Sequence, residues 1–265
     1  MCYDISFSTT YDLFNQYIPG IEFPPDFSID PDSHVHVLAQ AFRKYPVIIF
    51  EDGKYKLRMF EWGLIGDFMN TPEKVKIQRS GMCNARSEKI LGDKKSYWHR
   101  IRGQRCLIPV TGIFEHREIK GWKNKVPYHI QLKGRQLFCI PGLYHYAPIP
   151  DVETGEMKGT FTLITRSANS VMEQIHNCGE NAFRMPLFLP KEMEMRWLDP
   201  SLGDQGIAEI LTYQIPSEEL DHYPVFTIRT TKPRPDEGIK TDRYDWPNLP
   251  PLGNDGEEVK QAALF

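Results

Sequence analysis

Cys2 carries the most distinctive chemistry in the chain, because it directly follows the initiator Met1. Once Met1 is removed, residue 2 offers a free α-amine and a thiol on neighbouring carbons. The amine condenses with an aldehyde to an imine, and the sulfur then closes on the imine carbon to give a five-membered thiazolidine. With a reference pKa of about 7.7 to 8.0, the amine is partly an uncharged nucleophile at cellular pH. A single cysteine remains only a candidate until partner residues are found.

Three other segments contain side chains suited to assist such a nucleophile. In CNARSE, Asn84 supplies amide groups and Arg86 a fork of donors that matches phosphate. In CLIPVTGIFEH, an apolar strand delivers Glu115 next to an aromatic residue, an environment that raises a carboxyl pKa and favours proton transfer. In IHNCGENAFRMP, His176 lies at a predicted helix end. Each also has a structural alternative. Asn84 could be a turn residue, Glu115 half of an ion pair with Arg117, and His176 a helix cap.

The elements that must position these residues are mostly short strands. Thr10 is placed to cap a helix over residues 11–17, and Ser170 and Glu173 have the spacing of a capping box that opens a helix ending near His176. Helical periodicity returns over residues 191–198 and 207–213. Strands are predicted in HVHVLAQ, YPVIIF, LRMFEWGLIG, RCLIPVTGIFEHRE, VPYHIQL, RQLFCIPGLYHY and GTFTLITR.

This order of elements predicts one α+β domain with a mostly antiparallel β core and flanking short helices. We expect the domain to span residues 1–230. From residue 231 to 265 the composition turns to Pro, Asp and Gly, which predicts a tail that lies over the domain or is partly disordered.

Composition excludes several classes of protein. The chain has 265 residues, 40% hydrophobic and 25% charged, as in ordinary globular proteins, and no apolar run reaches membrane-spanning length. The N-terminus lacks the basic and apolar regions of a secretory signal, so we expect a cytoplasmic protein without membrane contact. Five scattered cysteines with no C-x-x-C pair argue against a disulfide framework and a zinc site. No cofactor and no metal are expected.

Positive charge is concentrated in one segment, although the formal net charge is -3. Residues 74–105 contain ten Lys and Arg against two acidic residues, a local excess of eight positive charges. Clustered Lys and Arg supply the salt-dependent part of nucleic-acid affinity. A solvated basic face without a partner is the alternative.

The ordered set of motifs resembles the SRAP family, the SOS-response-associated peptidases. The resemblance runs from MC at the N-terminus through FEWGLIG, NARSE, RCLIPVTGIFE and the His…RMP segment to YPVFTI, about the first 230 residues. It implies a β pseudo-barrel and binding of single-stranded DNA that contains abasic sites. It also implies a covalent thiazolidine crosslink that shields the lesion, with Met1 removal and abasic-site lyase activity as accompanying reactions. The protein would then be an enzyme of DNA repair, and we expect a monomer.

The resemblance also implies a role for each site residue. Cys2 would be the nucleophile, Asn84 would position its amine or the sugar, Glu115 would shuttle protons, and His176 would protonate the sugar ring oxygen as the ring opens. The residues expected to contact DNA are Arg86, Lys89 and Arg184 on phosphate and Trp62 and Phe68 on bases.

The chain departs from the family pattern at three places. Tyr3 and Asp4 follow the cysteine where the family commonly has Gly-Arg, which replaces a cation by a carboxylate. His116 stands where an aromatic wedge often follows the glutamate. Seven residues separate His176 from Arg184 where the family often has one. These changes affect the expected DNA affinity and structure preference more than the thiazolidine chemistry.

Two alternatives come from other classes. An N-terminal-cysteine amidohydrolase of the class II glutamine amidotransferase type would also expose Cys2, but its usual R-G-P-D motif is missing from the sequence. A non-catalytic single-stranded DNA-binding module is the other, and it is favoured if Met1 is retained.

Overall fold

The computed structural model describes residues 2–25, 27–28, 35–230 and 233–255, and it confirms an α+β domain with a mostly antiparallel β core. The strands are β1 Asp4–Ser6, β2 Val37–Leu38, β3 Lys44–Glu51, β4 Lys54–Trp62, β5 Asn84–Arg86, β6 Arg105–Val110, β7 Gly112–Arg117, β8 Val126–Leu132, β9 Phe138–Tyr146, β10 Gly159–Ser167, β11 Arg184–Pro186 and β12 Leu220–Pro224. The helices are α1 Tyr11–Tyr17, α2 Pro72–Gln78, α3 Glu88–Leu91, α4 Tyr97–Arg100, α5 Ser170–Ile175, α6 Lys191–Trp197 and α7 Asp204–Thr212.

One sheet closes on itself. Its strands run β10-β4-β3-β6-β9, and β9 pairs again with β10, so the ladder forms a small barrel. The first residues of β10 pair in parallel with β4, whereas its later residues, 163–165, pair in parallel with β5, which carries Asn84 and Arg86. Apolar residues fill the interior, as in β6, where all but the first residue are buried. The implied pseudo-barrel therefore corresponds to a closed ladder.

A second sheet, ordered β12-β8-β7-β1-β2, holds the N-terminus. β1 is antiparallel to β7, with Asp4 opposite Phe114 and Ser6 opposite Gly112. This register brings the chain just before β1 to the end of β7 that carries Glu115.

Most predicted elements are present, but several differ. The run RCLIPVTGIFEHRE is divided into β6 and β7 of different sheets, and α2, α3 and α4 lie where no helix was predicted. The run HVHVLAQ forms a strand only at Val37–Leu38 and continues as a 3₁₀ turn over Ala39–Ala41, while residue 34 lies outside the described residues. The N-cap of α5 is Asn169 rather than Ser170, since its side chain accepts a hydrogen bond from the Met172 amide at 3.0 Å. An asparagine cap performs the same task one residue earlier.

The residues after 230 make specific contacts with the domain. Arg234 and Trp246 are buried, and the Trp246 indole donates to the Val225 carbonyl at 2.9 Å. Arg243 forms a β-bridge with Val225. The boundary at residue 230 stays a prediction. Within the described residues, no helix is long and apolar enough to cross a membrane.

We predict that Asn169→Ala destabilises the protein by about 1 kcal/mol, because the substitution removes the cap of the helix that leads to His176. Urea denaturation measures the loss. Ser170→Ala is the matched control. Within the described residues the exposed Ser170 hydroxyl hydrogen-bonds the Ser217 hydroxyl at 2.9 Å and caps no helix amide, so the variant should change stability by about 0.5 kcal/mol at most. Equal losses of unfolding free energy in both variants would contradict the assignment of Asn169 as the N-cap residue.

Candidate active site

Cys2 is fully buried at the start of the β1 ladder. Its Sγ lies 3.5 Å from the Asp4 carbonyl oxygen, and its thiol is close enough to hydrogen-bond the Glu115 carboxyl. Burial, and then the nearby Glu115 and Asp4 charges, hold the pKa of the Cys2 thiol well above its usual value. The thiol is therefore neutral at cellular pH.

Glu115 is an unusual carboxyl group because it is buried on β7 with only 4% of its surface exposed. Burial raises the pKa of Glu115 to about 8. A carboxyl group with this pKa both donates and accepts protons near neutral pH, which is the property required of a proton shuttle.

His176 faces Glu115 from the C-terminal end of α5. Its Nδ1 donates to the Arg184 carbonyl at 2.8 Å, and its Nε2 lies 3.9 Å from Oε2 of Glu115. A carbonyl only accepts, so the proton of the neutral ring is on Nδ1 and Nε2 is the basic nitrogen. Burial lowers the pKa of His176 to about 4. At neutral pH the buried His176 ring is therefore neutral and Glu115 is protonated, which favours Glu115 as the acid. The acid role expected of His176 stays a prediction.

Asn84 is buried at the start of β5, directly after Cys83. Burial raises the pKa of the Tyr3 phenol, and neighbouring Cys83 and Glu115 raise it further, so the start of β5 lies near the same site. Within the described part of the chain, both amide atoms of Asn84 and Oε1 of Glu115 are buried without a hydrogen-bond partner. Unpaired buried polar atoms are rare in native proteins and need an explanation. A bound polar group would satisfy them.

Asp4 is neutralised by two residues that the sequence did not single out. His36 Nε2 lies 2.8 Å from Oδ1 of Asp4, and Arg229 contacts both carboxylate oxygens, with Nε 3.0 Å from Oδ1. Burial alone would raise the pKa of Asp4, but the hydrogen bonds from His36 and Arg229 bring it below its usual value. Position 4 is thus a paired carboxylate, and Arg229, with 49% of its side chain exposed, supplies a cation beside Cys2.

Two expected DNA contacts are corrected by burial. Trp62 is 1% exposed, stacks on Phe161 and donates its indole N–H to the Cys83 carbonyl at 2.9 Å, so it belongs to the core. The Arg184 guanidinium is bound by Glu88 and by the Thr165 carbonyl, where it joins β10 to α3. It is not open to phosphate in this arrangement.

The other expected DNA contacts are exposed. Arg86 donates to Asn181 at 2.9 Å, Lys89 lies on α3, and Phe68 packs edge-on against Tyr97 with 41% of its surface exposed. Their contact with DNA stays a prediction.

Several basic side chains of residues 74–105 are bound by other groups of the protein. Arg79 pairs with Glu61, Arg102 pairs with Asp204, and Arg105 donates to the Trp197 and Asp199 carbonyls. These intramolecular contacts leave less free positive charge than the sequence suggests.

The long segment between His176 and Arg184 folds back onto the site. The Phe183 amide donates to the His176 carbonyl at 2.8 Å, and the Phe183 carbonyl accepts from Ala168 at 2.9 Å. Phe183 has φ of 61°, which is unfavourable for a bulky residue, and 54% of its surface is exposed. The sequence offered no signal for this strained aromatic residue beside His176.

No group of three or more His, Cys, Asp or Glu side chains that could hold a metal ion occurs in the described part of the chain.

Comparisons with known proteins define the class. The family model "SOS response associated peptidase (SRAP)" matches residues 3–228. The chain is 30% identical over 227 residues to the abasic site processing protein YoqW of Bacillus subtilis, with 84% of this chain and 89% of that protein covered. It is 26% identical over 228 residues to the abasic site processing protein HMCES of Xenopus tropicalis, with 78% and 63% covered.

A crystal structure of a Bacteroides thetaiotaomicron protein superposes with a TM-score of 0.71 at 30% identity, with 91% of this chain and 97% of that one covered. The chain therefore belongs to the SRAP family, as the order of its motifs suggested.

We predict that the free energy of unfolding of the wild-type protein falls between about pH 6.5 and 8, and that Glu115→Gln abolishes this fall. The folded protein keeps the Glu115 proton up to a pKa of about 8, whereas the unfolded chain releases it near the ordinary glutamate pKa of 4.5. The free energy of unfolding therefore decreases as pH rises through this window. His176 acts in the opposite sense, but its contribution is complete above its ordinary pKa of 6.5.

Urea denaturation of wild type and variant at several pH values tests this. Glu194→Gln is the control, because burial raises the pKa of Glu194 to about 7 and its effect should end there. Parallel pH profiles of wild type and Glu115→Gln between pH 7 and 8 would contradict the assignment.

Proposed function

We propose that this protein processes abasic sites in single-stranded DNA and shields them through a covalent thiazolidine formed by Cys2. The observation that carries the proposal is the contact of Cys2, the residue after Met1, with the buried carboxyl of Glu115, whose Oε2 lies 3.9 Å from Nε2 of His176. The buried amide atoms of Asn84, which have no hydrogen-bond partner among the described residues, support it. Family membership and the names of its relatives support the substrate class.

The first step is activation of the protein. Hydrolysis of the peptide bond between Met1 and Cys2 consumes one water and creates the 1,2-aminothiol. The new α-amine has an ordinary pKa of about 7.7 to 8.0, so part of it is uncharged at cellular pH after its ammonium form releases a proton to solvent.

The sugar must then open, because an abasic deoxyribose is mostly a closed hemiacetal. Opening removes a proton from the C1′ hydroxyl and delivers one to the ring oxygen. The neutral Nε2 of His176 is suited to accept the first proton, and the protonated Glu115 is suited to donate the second. Asn84 would hold the sugar by its amide, which satisfies the buried polar atoms.

Two bonds form in the covalent step. The amine attacks the C1′ aldehyde. The Glu115 carboxylate left by ring opening then takes protons from the attacking nitrogen and passes them to the aldehyde oxygen, and loss of one water gives an imine. The Cys2 sulfur then adds to the imine carbon while its proton moves to the nitrogen. The sum of the two steps is one C–N bond and one C–S bond formed and one water released.

We predict that processed wild-type protein forms a crosslink with abasic single-stranded DNA that survives denaturing electrophoresis. Cys2→Ala should abolish this species, yet retain a transient imine and some strand cleavage by β-elimination, because the imine requires only the amine. Cys178→Ala is the matched control, since Cys178 is a partly exposed thiol and should leave the crosslink unchanged.

Intact-mass measurement before and after the reaction completes the test. It should show loss of Met1 and addition of the DNA minus one water. Retention of Met1 in protein isolated from cells, with DNA binding but no crosslink, would favour the binding-module alternative. An undiminished crosslink in Cys2→Ala would refute the assignment of the nucleophile.

The DNA strand next to the lesion requires an exposed aromatic residue, and Phe183 is better placed than Trp62. Its backbone is hydrogen-bonded to His176, its ring is exposed, and Arg86 contacts the same loop through Asn181. Stacking of a base on an aromatic ring contributes about 1–3 kcal/mol. We therefore assign base stacking to Phe183 and phosphate contact to Arg86.

We predict that Phe183→Ala weakens binding of abasic single-stranded DNA by about 5-fold to 100-fold, from the stacking energy above. Phe183→Trp should retain affinity. A DNA strand in which the bases flanking the lesion are also removed should bind wild type and Phe183→Ala equally, as measured by fluorescence anisotropy. An equal loss on both DNA strands would show that the ring acts on the fold of the loop rather than on a base.

A further inference from the structure

The C-terminal segment Pro250–Asp255 lies outside the residues matched by the family model, which end at residue 228. It nevertheless contacts the chain directly after each of the two proton-transfer residues. On one side it meets β7 just beyond Glu115, and on the other it meets the loop that begins after His176.

Arg117 forms the first contact. It is two residues after Glu115 on β7, so both side chains point to the same face of the sheet. Its guanidinium is completely buried and donates to Oδ1 of Asp255 at 2.6 Å, to the Pro250 carbonyl at 2.8 Å and to the Pro251 carbonyl at 2.6 Å. A buried arginine requires such partners, because an unpaired buried charge is strongly destabilising.

Asn177 forms the second contact. It directly follows His176, and its side chain both accepts from the Glu118 amide at 2.8 Å and donates to the Glu118 carbonyl at 2.9 Å. The same Nδ2 donates to Oδ2 of Asp255 at 2.9 Å. One carboxylate therefore binds Arg117 through one oxygen and Asn177 through the other.

We infer that Asp255 is a positioning residue that fixes the distance between Glu115 and His176. This inference rests on the proposed function for its catalytic consequence, but the geometric effect does not depend on it. Asp255 touches neither substrate nor the reacting atoms. It joins β7, which carries Glu115, to the loop that follows His176. The Glu115 Oε2 and His176 Nε2 atoms are 3.9 Å apart.

Loss of the Asp255 carboxylate should act on proton transfer rather than on DNA binding. Without it, Asn177 keeps its two contacts with Glu118 but loses the link to Arg117, so the His176 loop gains freedom and water reaches the ring. Misplacement of a reacting group by about 1 Å costs on the order of 100-fold in rate.

The test uses the full chain with Asp255→Ala and Asp255→Asn. Because Asp255→Ala leaves Arg117 buried and unpaired, the double variant Arg117→Met/Asp255→Ala removes both charges and guards against loss of folding. Asp245→Ala is the matched control: it removes a carboxylate from the same C-terminal region whose side chain is 89% exposed.

Two measurements separate this inference from the proposed function. NMR titration of His176 should show its low pKa, of about 4 in wild type, moving toward the ordinary value in Asp255→Ala and in the double variant. His129, which is buried on β8 opposite Phe114 and makes no contact with Asp255 among the described residues, has a pKa of about 4 that should not move in any variant. Single-turnover crosslinking at saturating DNA should slow about 10-fold to 100-fold in Asp255→Ala, with DNA affinity unchanged and a partial recovery in Asp255→Asn.

The outcomes are distinct. An unchanged His176 titration in the folded double variant overturns the positioning role, whatever the crosslinking result. A shifted His176 titration in a protein whose wild type forms no crosslink supports the positioning role and overturns the proposed function. Equal slowing in Asp245→Ala would assign the effect to charge alone and also overturn the inference.

Discussion

The antiparallel pairing of β1 with β7 is the constraint on which the site depends. It fixes residue 4 opposite residue 114 and so delivers the N-terminus to a carboxyl group more than one hundred residues away in sequence. Because a shift of one residue in this ladder would turn every side chain of β1 to the opposite face, the position of Cys2 is specified as strongly as the core itself. The reactivity of the Cys2 amine and thiol depends on residue 2 alone, but the carboxyl group beside them, that of Glu115, is brought there by the β1–β7 pairing.

Desolvation then sets which of the two groups, Glu115 or His176, holds a proton at neutral pH. The same burial that raises the pKa of Glu115 lowers that of His176, since both groups lose solvent around their charged forms. In the proposed mechanism the carboxyl group is therefore the proton donor and the imidazole the acceptor, because their pKa values stand in the reverse of their ordinary order. Pairs whose environments move their pKa values apart are the usual basis for acid and base assignments.

Charge in this protein is largely balanced by internal partners. The carboxylate of Asp4 is held by Arg229 and His36, and the buried guanidinium of Arg117 is held by Asp255. These pairs bring the segment after residue 228 to the site and make it part of the same structural unit. Net charge along the sequence is therefore a poor measure of the charge available to DNA, as Arg79 and its neighbours show.

The sequence by itself determined the fold class, the order of most strands and the family, because alternating or continuous apolar runs, turn residues and the motif order are local properties. It also proposed Cys2, Asn84, Glu115 and His176 as site residues from residue type, context and resemblance, and their roles stay predictions. It did not determine the environment of each: Trp62 and Arg184 have residue types suited to DNA, yet one is core and the other an internal ion pair. The proton state of His176, the exposure of Phe183 and the partner of Asp4 were decided by tertiary structure, since burial and long-range pairing depend on segments that meet only when the chain folds.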